Sequence, residues 1–151
     1  MVTVAQQIQD ACVQFILAAN VVNLQGGNLF VRDKPMILQK DPAYVCVLVV
    51  GEEWENQRKP RTNSTVRYDY PVMVVYGRRT AMSAPNTDPW IKTARAGVRN
   101  MLRRHLLLGE SGAVRRCAYN PVPRFSIVGH DEGWKYSSQL FIYTTEENRV
   151  A

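Results

Sequence analysis

The chain has 151 residues, a net charge of +6, an apolar fraction of 46% and a charged fraction of 21%. That length suits one domain with its own core, and that composition argues against wholesale disorder. No apolar run approaches the ~20 residues that span a bilayer, so no membrane partner is expected.

Taken in chain order, the first segment reads as an amphipathic helix from Thr3 to Asn20. Thr3 and Gln6 have capping-box spacing: the hydroxyl serves the third helical N–H and the amide reaches back. Val4, Ile8, Ala11, Cys12, Phe15, Ile16 and Ala19 recur at three- and four-residue intervals, with Gln6, Gln7, Asp10 and Gln14 on the other side. Gln6, Gln7, Gln9 and Asp10 break this stretch and no basic region precedes it, so it does not read as a signal peptide. The expected setting is an intracellular compartment or a particle assembled there. Gly26-Gly27 marks the turn that follows.

Strands come next. Asn28–Asp33 is short and Pro35 follows it, which suits an edge or a bend. Tyr44–Val50 is almost wholly apolar and reads as a central strand covered on both faces. In Val66–Tyr76, residues Val66, Tyr68, Tyr70, Val72, Val74 and Tyr76 share one face, and Arg67, Asp69, Pro71, Met73 and Val75 share the other. Pro71 has no N–H to donate, so the pattern requires a bulge or a locally unpaired edge beside it.

Between these two strands lies Glu52–Thr65, far longer than a hairpin turn of about two to five residues. Its acidic half sets Glu52, Glu53 and Glu55 around Trp54, and its basic half carries Arg58, Lys59 and Arg61. One reading is a flexible surface loop. The other is an inter-subunit arm in which the basic half of one copy meets the acidic half of the next. As a hairpin of about seven residues a side, such an arm reaches ~23 Å.

Asp88 and Pro89 suit the N-cap and first position of a second helix, Asp88–Leu108. Ile91, Ala94, Val98, Met101, Leu102 and Leu106 form its apolar stripe, and Lys92, Arg95, Arg99 and Arg103 recur along the opposite side. Arg104 and His105 complement the helix dipole in the last turn, and Gly109 supplies the stop. Val114–Asn120 and Arg124–Val128 are strand pieces separated by Pro121 and Pro123, and Gly129–Gly133 is a turn. Tyr136–Thr145 is the last strand, rich in β-formers, and Glu146–Ala151 a polar tail. Helix, three strands, helix, two strands predicts an α+β fold. It is a single domain over 1–151, with a mixed or antiparallel sheet of about five strands and both helices on one face.

Residues with catalytic potential are sparse. Cys12, Cys46 and Cys117 are widely spaced in apolar patterns, so buried structural thiols are expected rather than a zinc site. His105 suits a helix end, and His130, Asp131 and Glu132 are consecutive in a turn, where neighbours rarely converge on one metal. No P-loop, dinucleotide fingerprint, HExxH or EF-hand loop is present. No catalytic, cofactor-binding or metal-binding residue is assigned, and no enzyme activity is expected.

Two features suit contact with a partner. Tyr68, Tyr70 and Tyr76 lack the glycine–aromatic run of an RNA-recognition sheet, so core or interface is the better reading. The Lys92, Arg95, Arg99 and Arg103 face has three readings: a solvated surface, a contact with an acidic protein, or a phosphate contact. A nucleic-acid-binding module using this helix is the alternative function, although no aromatics interleave to stack bases.

The element order resembles the tail-terminator (tail-completion) proteins of tailed bacteriophages. In them an amphipathic helix is followed by strands with a long hairpin or loop, a second helix packed on the sheet, and closing strands. The matching parts are Thr3–Asn20, Asn28–Tyr76 with the Glu52–Thr65 arm, Asp88–Leu108 and Val114–Thr145, nearly the whole chain. The resemblance rests on length, element order and the arm, not on a signature motif. It implies a virion protein, assembled in the host cytoplasm, that forms a homo-oligomeric ring of six. Such a ring ends the tail tube, meets the tail tube protein and a head-completion or stopper neck protein, and touches DNA only in passing. It implies no catalysis and no cofactor. Neck adaptors are mostly helical and stoppers largely β-barrels, so this element order fits neither.

Overall fold

The computed structural model describes residues 3–19, 24, 27–38, 40–55, 65–79, 89–103, 114–120, 125–126 and 134–148. It contains α1 (Val4–Ala18), β1 (Leu29–Val31), β2 (Tyr44–Val50), β3 (Trp54–Glu55), β4 (Thr65–Arg79), α2 (Pro89–Leu102), β5 (Val114–Asn120), β6 (Phe125–Ser126) and β7 (Trp134–Asn148). The main sheet runs β1-β2-β4-β7-β5, with β3 paired to β4 and β6 to β7. The β1–β2 pair is parallel and the others are antiparallel, so the sheet is mixed and the fold α+β.

Helix α1 starts as its sequence demands. The Thr3 hydroxyl accepts the Gln6 backbone N–H at 3.1 Å, satisfying one orphan donor of the first turn. The reciprocal half of the capping box does not form: the Gln6 side chain instead donates to Asp10 one turn on, at 3.2 Å. Ile8, Cys12 and Ile16, spaced four apart, are the buried stripe. In α2, Ile91, Ala94, Val98 and Leu102 are buried as their spacing requires. Trp90 joins them and packs on Tyr44 with ring centroids 5.0 Å apart. The proposed stops at Asn20 and Gly109 and the Asp88 cap lie outside the described residues.

Both helices cover one face of the sheet. Their buried side chains form one core with Cys46, Leu48, Tyr70, Val72, Val74, Tyr76, Phe141 and Tyr143. The alternation of β4 therefore points as its pattern predicts. The other face, called outer below, holds Val45, Val47, Val49, Val75 and Trp134, with Phe30, Ile37, Met73 and Tyr136 against them. Strand β2 feeds both cores and is buried throughout its interior, as a central strand should be.

The outer face is partly covered by the crossover from β1 to β2, residues 32–43. Parallel neighbours need a connection of about a dozen residues, and here its described residues form no helix. An ion pair fastens it. Arg32 grips Asp41 with two 2.7 Å hydrogen bonds, and Asp41 also accepts the Leu38 N–H at 2.7 Å. Burial opposes ionisation of Asp41, but the Arg32 hydrogen bonds outweigh it and hold this carboxyl below its ordinary pKa. Gly77 lets the crossover sit close: a β-carbon there would meet Ile37 at 2.3 Å and Val45 at 3.1 Å.

Strands β4 and β7 pair residue for residue from Thr65↔Asn148 to Arg79↔Trp134. At ~3.4 Å per residue, fifteen such pairs extend ~50 Å, well beyond a usual strand. Both exceed their predicted bounds of Val66–Tyr76 and Tyr136–Thr145. Their added ends, including Arg78, Arg79, Lys135, Glu146 and Glu147, are poor β-formers held in the ladder by their partners. Strand β5 has its predicted bounds, with a register irregularity between Val114 and Arg116. Among the described residues no helix is long and apolar enough to cross a membrane.

Candidate assembly surface

The oversized connection begins as an extension of the β2–β4 hairpin. After Val50↔Val72 the pairing stops, resuming one residue out of step at Trp54↔Asp69 and Glu55↔Tyr68. Pro71 sits opposite this break, and its carbonyl accepts the Gly51 N–H at 2.9 Å. In an antiparallel strand a residue's N–H and C=O point to the same neighbour, so the donor that Pro71 lacks would have faced this gap. The bulge demanded by Pro71 is thus located at residues 51–53. Gly51 is required beside it: a β-carbon would meet the rigid Pro71 ring at 2.8 Å.

Past the bulge, Trp54 shares the outer face with its cross-strand partner Asp69. Trp54 is 45% exposed, and Glu52, Glu53 and Glu55 are all exposed. Glu55 pairs with Tyr68 and so shares the helix-covered face, and the Glu53 charge acts on Tyr70 of that face, so the indole and these two carboxylates lie on opposite sides of the arm. Arg58, Lys59 and Arg61 lie outside the described residues.

Behind the arm, the Tyr70 hydroxyl donates to Glu147 at 2.8 Å, and Thr145 donates to the same carboxylate oxygen. Burial, reinforced by Glu147, pushes the Tyr70 phenol far above its ordinary pKa. It remains a hydrogen-bond donor that ties β4 to β7 at the arm's root.

The four cations of α2 are not equivalent. Lys92 and Arg103 are exposed, whereas Arg95 and Arg99 are half-buried. Arg95 donates to the Ser137 hydroxyl at 2.7 Å and to the Ser138 carbonyl, while the Gln139 amide donates to the Arg95 carbonyl at 3.1 Å. Gln139 in turn accepts the Tyr76 hydroxyl at 2.6 Å. Arg95 is thereby a strut between α2 and β7. The Nε of Arg99 is buried without a hydrogen-bond partner among the described residues.

The thiols are held protonated. Burial pushes Cys12 and Cys46 far up and half-buried Cys117 up to about 11. Cys117 donates to the Leu102 carbonyl at 3.2 Å, as does the Tyr143 hydroxyl, closing the C-terminal end of α2. Among the described residues no group of three His, Cys, Asp or Glu could hold a metal ion. His105, His130, Asp131 and Glu132 lie outside them.

One feature went unread in the sequence. An open groove of about 410 Å³ lies on the outer face, with Pro35, Met36 and Ile37 of the crossover beside Met73, Val75 and Tyr136 of the sheet. Its sequence signal was the apolar Pro35–Leu38 run inside an apparent loop.

No family model matches the chain, and no curated protein matches it. Among solved structures it is similar to a chain from the virion of a native gene transfer agent particle, at 15% identity. The likeness covers 92% of this chain and 94% of that one, with a TM-score of 0.52. At that identity the likeness is one of fold.

Proposed function

We propose that this chain is a structural virion protein of the phage type: a tail terminator whose copies form a ring of six, end the tail tube and join it to the head-side neck. The observation that carries the reading is the near end-to-end fold likeness to a chain of a virion particle. The order of helices and strands and the exposure of Glu52, Glu53, Trp54 and Glu55 in the arm support it. On this reading the chain works by contact alone, without catalysis or cofactor. Its partners are its own copies, the tail tube protein and a head-completion or stopper protein, and it resides in the virion after assembly in the host cytoplasm.

Light scattering on the eluting protein, with negative-stain images of mixtures with purified tail tubes, tests the reading. Rings of six at tube ends are expected. A strictly monomeric protein that also leaves the tubes bare overturns it.

The alternative, nucleic-acid binding by α2, has less support, because Arg95 is committed to the sheet.

A further inference from the structure

Lys135 stands apart from the other charged side chains. It is 4% exposed, and among the described residues it has no hydrogen bond or ion pair. A lysine so buried normally has a partner for its charge, because an unpaired cation loses hydration without return. Its neighbours add to the charge. Lys135 lies directly opposite Arg78 in the ladder, and Arg78 opposite Tyr44. All three share the helix-covered face with Tyr76 and Ser137, the next pair on that face.

Cross-strand neighbours are about 5 Å apart at their β-carbons, so the Lys135 and Arg78 charges repel. Arg78 lies over the Tyr44 ring at 5.2 Å, and a guanidinium stacked this way donates in its own plane. From the helix layer, Arg95 of α2 reaches Ser137 at 2.7 Å. Sheet and helix thus bring three cations to one corner of the fold.

The carboxylates of the described residues lie elsewhere. Asp41 is held by Arg32. Glu55, Asp69, Glu146 and Glu147 belong to the arm end of the sheet, and the nearest level of the ladder, Asp69, is ~30 Å from Arg78 along β4. Asp88, Asp131 and Glu132 lie outside the described residues.

We infer that Lys135, Arg78 and Arg95 form a binding site for a phosphate group, free or carried by a nucleic acid. A carboxylate brings one charge and two oxygens. A phosphate brings up to two charges and at least three acceptor oxygens, the closer match to three cations. The Ser137 hydroxyl accepts from Arg95 and keeps its own proton to donate to the same oxyanion. The site does not depend on the ring reading, since it uses the corner opposite the arm.

The test is thermal melting of the full chain in sodium phosphate, with chloride and acetate at equal ionic strength as comparators. Phosphate stabilises folded proteins generally through exclusion from their surface, so the reading is the part of its effect that Lys135→Met removes. Methionine keeps an apolar stem and deletes the charge. At phosphate tenfold above its dissociation constant, the parent should gain about 3–5 °C that Lys135→Met lacks. Lys34→Met, which deletes one exposed charge in the crossover, should retain the full gain. Arg78→Gln supplies the same reading if Lys135→Met does not fold. A short DNA duplex at equal phosphate separates the sources: a larger gain with duplex assigns nucleic acid and a gain with inorganic phosphate alone assigns the free anion, and both uphold the site. Equal gains in the parent, Lys135→Met and Arg78→Gln overturn it, as does acetate that matches phosphate.

Discussion

At Gly51 and Pro71 two unusual residues solve one geometric problem. The proline cannot donate on the side facing β2, so the ladder bulges there, and its ring then fills the space a β-carbon at position 51 would need. Gly51→Ala should cost about 1–3 kcal/mol by overpacking, measured by urea unfolding. Adding Pro71→Ala should recover part of that loss, because the clashing ring is gone.

Asp41 makes a second local prediction. Its carboxyl has a lower pKa folded than unfolded, so it stabilises the protein above the unfolded value of ~3.9. That contribution is lost as pH falls from there through the folded value. Asp41→Asn should cost about 2 kcal/mol at neutral pH and flatten the acid limb of the stability profile.

Among the elements, α1, β2, β5 and the apolar face of α2 were legible because periodicity reports burial directly. The pairing partners were not. That β1 lies parallel to β2, and that β4 and β7 run on for fifteen residues, depends on contacts between distant segments, which no local pattern encodes. The acidic half of the arm was legible as a charge pattern, but the groove was hidden because its walls come from a loop and two separated strands.

The stripe on α2 shows the same limit. Spacing placed four cations on one side, yet only tertiary structure separates strut from surface. Arg95→Ala should cost about 1–2 kcal/mol through loss of its bonds to Ser137 and Ser138. The double change Lys92→Ala/Arg103→Ala should stay within about 0.5 kcal/mol of the parent. If phosphate binding were the function, the same double change would reduce the salt dependence of DNA affinity, and a gel-shift series in salt checks this.

For the molecule as a whole, the β4–β7 ladder is the spine to which both cores attach. Hydrogen exchange should be slowest along the central stretch of this ladder and β2, and faster in β1 and β3, which are three and two residues long.

The spine also has a direction. Strand β4 begins at the arm end of the sheet, and β7 begins at the opposite end. A pull that enters at Thr65 and leaves at Trp134 therefore draws the two strands past each other lengthwise. The cross-strand hydrogen bonds then resist as a group in shear, instead of opening one after another like a zipper. A chain built this way transmits tension along its strands.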